Sequence, residues 1–299
     1  MILLTGASGF IGKHLLQGLI NKHGNDNVIA LTSKPVEGCR YVLHNDYKIV
    51  EDFFTVNGID NISAVYHAGA FTPKSSSSEN DHIKCFSNIE SACRLINALP
   101  SSVNKFIYLS AIDVYGKPEI IDEQSVIDPV SLYGHSKYYC EKMIASWAAT
   151  KKIQCQVLRI GHVYGPGEES YNKIIPRTIK NILNNKQPQV WGNGRETRSF
   201  IYISDLVSAV IKAGELEYNA GPINITGGNP ISMYNLTRML LGISGSSLEI
   251  EYRDTGMATR SLQFDNSKMK ELLGGGSIDL EEGLKREWNY MSSLNTITV

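Results

Sequence analysis

Two residues four positions apart, Tyr133 and Lys137 in the segment YGHSK, are of types and spacing that could do chemistry. On a helix that spacing sets both side chains on one face. A free tyrosine ionises near pH ~10, too high for ready proton exchange at neutral pH. A neighbouring ammonium favours the tyrosinate and lowers that value. The pair therefore suits proton transfer at a C–OH or C=O centre, beside a group that moves hydride. A buried tyrosine and a surface lysine at the start of an amphipathic helix would show the same spacing, so the pair needs support from elsewhere in the chain.

That support is at the opening. TGASGFIG places Gly6, Gly9 and Gly12 at every third position. The apolar run Met1–Leu4 reads as a buried strand. Leu15, Leu16, Leu19 and Ile20 follow at helical spacing, with Gly24 as a stop. Strand, glycine turn and helix, followed by a second apolar run at Val28–Leu31, make a dinucleotide-binding unit. Gly6 permits the tight turn, Gly9 lets backbone approach a pyrophosphate, and Gly12 lets the helix pack closely. The cofactor contacts expected here are Gly6, Ser8, Gly9, Phe10, Ile11 and Gly12. The second strand ends in Thr32, Ser33 and Lys34, where an NAD-binding chain would carry an acidic residue for the ribose. Hydroxyls and a lysine suit a 2′-phosphate instead, with Arg40 as a second cation. The residues thus favour NADP(H), with NAD(H) as the alternative.

The elements that must position these groups alternate. Strands are expected at Ala64–Tyr66, Phe106–Leu109 and Gln156–Ile160, and helices at Cys85–Leu99 and Ser136–Ala149. This predicts an α/β fold: a doubly wound parallel (Rossmann) sheet with a smaller mixed C-terminal lobe. The expected division is residues 1–167 plus 199–227 for the dinucleotide and 168–198 plus 228–299 for the substrate. The segment SSSSENDH reads as a mobile loop.

Composition narrows the function classes. The chain has 299 residues and a net charge of −1, without the basic footprint of a nucleic-acid binder. Its five cysteines are scattered and form no CxxC pair, which argues against a disulfide framework or a zinc site and for a cytoplasmic setting. No apolar run is long enough to predict a membrane span, and no secretion signal precedes the glycines.

Together TGASGFIG, HAGA, LSAIDVYG, YGHSK, RIGHVYGPG and WGNGRETRSFIYISDL make the chain resemble the extended short-chain dehydrogenase/reductases, and within them the nucleotide-sugar epimerases, dehydratases and reductases. The resemblance implies that Tyr133 is the acid/base and that Lys137 tunes it and holds the nicotinamide ribose. It implies that Asp46 and Tyr47 lie near the adenine, and that His67, Ala68, Gly69 and Ala70 bring backbone to the pyrophosphate. Arg198 and Arg260 would hold the substrate diphosphate, and His162 would face the substrate. Asp205 is expected to cap its helix. A homodimer through the helices at 88–99 and 136–149 is also implied.

One position departs from the pattern. The family usually carries Ser or Thr three residues before VYG, and here that residue is Ala111. Ser110 is one place too early, and adjacent strand residues face opposite ways. A bulge turning Ser110 inward, replacement by Asp113 or Thr72, and weakened catalysis all remain open. The function expected is NADPH-dependent reduction of a keto-sugar on a nucleoside diphosphate. An NAD-dependent 4-epimerase or dehydratase is the alternative, and a non-catalytic dinucleotide-binding regulator is a third possibility.

Overall fold

A computed structural model of the protein describes residues 1–44, 49–116, 120–254 and 261–297. Its contacts form two compact units. The first comprises Met1–Lys117, Val126–Ile160 and Val207–Asn224; the second comprises Pro118–Ser125, Gly161–Leu206 and Ile225–Val299. The chain passes between them at 117–118, 125–126, 160–161, 206–207 and 224–225. After the third of these, residues 162–164 pair with 200–202 outside the large sheet.

In the first unit a parallel sheet is built from β1 (Ile2–Thr5), β2 (Val28–Thr32), β3 (Arg40–Leu43), β4 (Ala64–His67), β5 (Lys105–Ala111) and β7 (Gln154–Ile160). β11 (Ile223–Ile225) closes the order β3-β2-β1-β4-β5-β7-β11. β2 is buried at every position, as a central strand covered on both faces must be. The strand order reverses at β1 and β4, and a crevice opens past the carboxyl ends of strands at such a point. α1 (Phe10–His23) buries Gly12, Leu15, Leu16 and Leu19 and ends at Gly24, whose N–H bonds to Ile20 O at 2.8 Å. After the short α2 (Phe53–Val56) come α3 (His82–Ala98) and α4 (Leu132–Lys151), which pack on each other, and α4 lies on β5 and β7. Ile96, Cys140 and Ile144 from these helices join Leu3, Val65, Phe106 and Tyr108 in the core.

The expected mobile loop is shaped by hydrogen bonds. Ser78 Oγ donates to Ser75 O at 2.8 Å, and Asp81 caps α3 by accepting from Lys84 N at 3.1 Å. Serines and Asp here satisfy backbone groups at a helix entry.

The second unit holds β6 (Ile120–Ile121) beside β14 (Gln263–Phe264) and β9 (Gln189–Trp191) beside β13 (Glu251–Arg253). β8 (His162–Tyr164) runs parallel to β10 (Thr197–Tyr202), which pairs antiparallel with β12 (Pro230–Ser232). α5 (Ile174–Leu183), α7 (Met233–Ser244) and α9 (Leu280–Ile297) pack together, with α8 (Ser267–Leu273) before α9. Asp205, in the first turn of α6 (Ile203–Ala213), has a structural role different from the one expected. Its carboxylate accepts from Ser277 N and Ile278 N, both at 3.0 Å, and so ties down a loop. All five cysteines are free thiols. Among the described residues no helix is long and apolar enough to cross a membrane, and no group of His, Cys, Asp or Glu is placed to hold a metal ion.

Three substitutions test this packing. A methyl at Gly12 would stand 2.0 Å from Gly6 O, which is backbone and cannot step aside. Gly12→Ala is expected to destabilise the protein by about 1–3 kcal/mol in denaturant titration. Gly9→Ala, whose methyl would stand at 3.3 Å, is expected to lose less. Glu287 on α9 is fully buried, and burial, with Glu168 and Glu169 nearby, pushes its carboxyl up to about 8. The folded state therefore keeps a proton that the unfolded chain releases near pH ~4.5, and stability falls by about 1.4 kcal/mol per pH unit between there and pH 8. Glu287→Gln is expected to raise the thermal midpoint at pH 8, by a margin that shrinks as the pH falls to 5.

Candidate active site

The glycine turn after β1 brings two stretches of backbone together. Gly6 has φ +73°, a conformation open to glycine, and a Cβ there would lie 2.6 Å from both N and Cα of Gly69. Gly69 N–H donates to Thr5 Oγ1 at 3.0 Å, which fixes the loop after β4 against the turn. Gly9 is exposed, and Ser8, Phe10 and Ile11 are partly so. Ala68 and Ala70 are partly exposed, whereas the His67 side chain is buried and its Nδ1 lies 2.7 Å from Thr5 Oγ1. His67 thus contributes structure as well as backbone. This narrow cradle, with α1 starting at its rim, has the close backbone approach and the helix N-terminus that suit a dinucleotide pyrophosphate.

At the end of β2, Ser33 and Lys34 are exposed, and Thr32 Oγ1 donates to Lys34 O at 2.9 Å. Arg40, read from the sequence as a second cation, is exposed. It lies on β3, and its guanidinium donates to the carbonyls of Asn57 and Gly58. Asp46, Tyr47 and Arg260 lie outside the described residues.

Tyr133 and Lys137 are both buried on α4, four positions apart. Ser131 caps α4 by accepting from Gly134 N at 3.1 Å, and Tyr133 N donates to Glu79 O at 3.0 Å. A Cβ at Gly134 would stand 2.2 Å from Asp113 O, so only glycine lets the helix start this close to the turn after β5. Tyr133 packs against Cys85, Phe71 and Ala111. Lys137 is 3% exposed. Its Nζ donates to Leu109 O at 2.7 Å and sits 4.6 Å from the centroid of the Tyr108 ring. Burial pulls its ammonium down to about 8, while Cys140, Glu141 and Asp113 resist that fall.

Ser110 is excluded from this site. Its Oγ donates to Glu141 Oε1 at 2.6 Å. Glu141 in turn pairs with Arg159, whose Nη2 lies 2.8 Å from Oε2, and both are buried. Arg159 continues to Tyr115 Oη at 2.8 Å, and Tyr115 to Asn224 at 2.7 Å. No bulge turns Ser110 inward: β5 stays in register with β7 through Ala111, which leaves that alanine beside Tyr133. Thr72 and Asp113 are exposed, and the charge of Asp113 is felt by Lys137 and Glu79. Sequence reasoning missed this network and missed Asn88. The Asn88 amide accepts from Phe71 N at 2.7 Å and donates to Phe71 O and Ser136 Oγ. The signals were present as polar residues on otherwise apolar faces, but their partners lie 17 to 109 positions away.

In the second unit His162, Lys173, Arg177, Trp191, Arg198 and Phe200 line one cavity. Arg198 bonds its own strand at Thr197 O, 2.9 Å, and lies 3.7 Å from Glu196. The Arg177 guanidinium stands over Trp191 at 5.7 Å. The buried Nδ1 of His162 has no hydrogen-bond partner among the described residues. Burial, and then Arg198 and Lys173, lower its pKa to about 3, so the ring is neutral. Three cations and the carboxylates of Glu168 and Glu196 thus line the cavity beside a neutral imidazole.

Known proteins agree with this geometry. The model of the NAD dependent epimerase/dehydratase family matches residues 2–226. An uncharacterized UDP-glucose epimerase of Bacillus subtilis, YtcB, is 29% identical over 314 residues, covering 98% of each chain. UDP-glucuronate 4-epimerase of Thermodesulfobacterium geofontis is 29% identical over 312 residues, 96% of this chain and 95% of that one. Among solved structures, UDP-glucuronic acid 4-epimerase from Bacillus cereus, in complex with UDP-glucuronic acid and NAD, superposes with a TM-score of 0.86 at 27% identity, covering 98% of this chain and 99% of that one. A match of that length, on a glycine turn and a Tyr–Lys pair so arranged, places the chain in the NAD-dependent epimerase/dehydratase family, as an enzyme of the extended short-chain dehydrogenase/reductase type.

Proposed function

We propose that the protein is an NAD-dependent 4-epimerase of a UDP-linked sugar. The observation that carries this reading is the Tyr133–Lys137 pair on a chain whose relatives and solved neighbours include UDP-sugar 4-epimerases. The keto-sugar reductase favoured by the sequence gives way to its alternative, because solved neighbours carry NAD. The case for NADP(H) weakens for a structural reason as well. With Arg40 tied to the carbonyls at 57 and 58, Lys34 is left as the one cation argued for a 2′-phosphate.

The cradle of Gly6, Gly9, Gly12 and Gly69 would hold the pyrophosphate, and Lys137 would hold the nicotinamide ribose. NAD, when bound, supplies a reversible acceptor for the sugar C4 hydrogen. Tyr133 takes the proton of the 4-hydroxyl as that C–H bond breaks and returns it when the bond re-forms on the other face. The Lys137 ammonium stabilises the phenolate that this requires. In the second unit Arg198, Arg177 and Lys173 would hold the diphosphate, and the neutral His162 would offer a hydrogen bond without adding charge. Ala111 supplies no hydroxyl to the reacting oxygen, which leaves Tyr133 without the donor usual in the family.

Three measurements test this reading. Denatured protein should release NAD, and UDP-glucose or UDP-glucuronic acid should be converted to its C4 epimer. Release of NADP, with consumption of added NADPH, would instead restore the reductase. Tyr133→Phe should lower kcat at least 100-fold, whereas Ala111→Ser should raise it at least tenfold, since one such donor is worth ~3 kcal/mol. The rate should also fall above about pH 8, where Lys137 loses its proton. In Lys137→Met that alkaline limb should vanish along with most of the rate.

A further inference from the structure

We propose that Tyr108 is a positioning residue for Lys137, and that a row of side chains across the sheet, Thr5–His67–Tyr108, joins the glycine turn to that lysine. Thr5 on β1 stands directly opposite His67 on β4, and His67 directly opposite Tyr108 on β5. In parallel strands such register partners point to the same face. The contacts follow the register. Thr5 Oγ1 accepts from Gly69 N–H at 3.0 Å and meets His67 Nδ1 at 2.7 Å. The His67 ring stacks on Tyr108 with centroids 5.7 Å apart and planes 26° from parallel. Lys137 Nζ lies over the Tyr108 ring at 4.6 Å. All four side chains are at most 3% exposed.

The chemistry of each member fits that role. A buried ammonium with one carbonyl partner, Leu109 O, remains poorly solvated. The face of an aromatic ring supplies negative potential, and burial strengthens that attraction. Tyr108 is fit for this because burial raises its phenol well above the ordinary value, so the ring stays neutral. His67 must also be neutral, since a cation there would repel Lys137. Burial, and then Lys137 itself, lower its pKa to about 3. With Gly69 N–H donating to Thr5 Oγ1, we assign the threonine hydrogen to His67 Nδ1, which leaves the ring proton on Nε2. The other groups facing Lys137 are Cys140 and Glu141 on α4 and Asp113 after β5, with Arg159 on β7 neutralising Glu141. Tyr108 is the side chain that meets the ammonium with an aromatic face, beside the uncharged carbonyl of Leu109.

Lys137 matters to catalysis through the proposed function, on which this inference rests, but its ionisation can be read without any substrate. In the full-length chain grown with 13C-lysine, the Lys137 Cε resonance, assigned by its loss in Lys137→Met, is followed against pH. Tyr108→Phe should titrate as the unmodified protein does. Tyr108→Leu should lower the midpoint by about one pH unit or more. Phenylalanines carrying one, two and three ring fluorines at 108 should lower it stepwise, because fluorine drains the ring face at almost constant volume. The alkaline limb of kcat should move in parallel, with KM unchanged. The proposal is overturned if the fluorinated series titrates uniformly, or if Tyr108→Phe shifts as far as Tyr108→Leu. Should the leucine variant fail to fold, the near-isosteric fluorinated series still decides. Loss of sugar turnover with an intact titration series would count against the proposed function and leave the role of Tyr108 standing.

Discussion

The structure turns on one buried positive charge. Lys137 lies within the first unit, where an ammonium is costly, and the surrounding elements offset that cost. α4 is brought close enough by its Ser131 cap and by Gly134, which lets the helix abut the carbonyl of Asp113. β5 then offers a carbonyl at Leu109 and an aromatic face at Tyr108. One turn further along α4, Glu141 is held by Arg159 and Ser110, so a charge pair is buried in the same layer. Removing one partner of such a pair typically costs ~3–5 kcal/mol. Helix, strand and network are therefore mutually required, and Tyr133 inherits its position from them.

The glycines solve a different problem, the approach of backbone to backbone. Gly6 and Gly69 nearly touch, and Gly12 sits on the carbonyl of Gly6. Side chains at these points would push the loop after β4 away from the turn after β1 and open the cradle. Thr5 spans both problems. Its hydroxyl anchors Gly69 on one side and His67 on the other, so the glycine turn and Lys137 share a row of residues rather than merely a sheet.

The second unit handles charge in another way. Its cavity gathers Lys173, Arg177 and Arg198, while deeper carboxylates are kept from adding full negative charge. Burial pushes Glu168 up to about 7 despite its 3.1 Å pairing with Lys173, and Glu287 goes higher still. Glu196 also lines the cavity, beside Arg198, so three cations face two carboxylates, a balance that suits a diphosphate.

Much of this was legible in one dimension because it depends on local spacing. The period-three glycines, the strand and helix beside them and the i,i+4 tyrosine and lysine are properties of short segments, and the alternation of apolar runs predicted the parallel sheet. The absence of a hydroxyl at position 111 was equally plain. What a segment touches was not legible. That Ser110 serves Glu141, that Arg40 is tied to carbonyls at 57 and 58, that Asp205 holds residues 277 and 278 instead of its own helix, and that residues 162–164 change sheets are all long-range outcomes. So is the stacking of His67 on Tyr108, since register across strands is set by the packing of the whole sheet. Local geometry and residue chemistry are written in neighbouring positions; desolvation, charge pairing and cross-strand contact exist only once distant segments exclude water together.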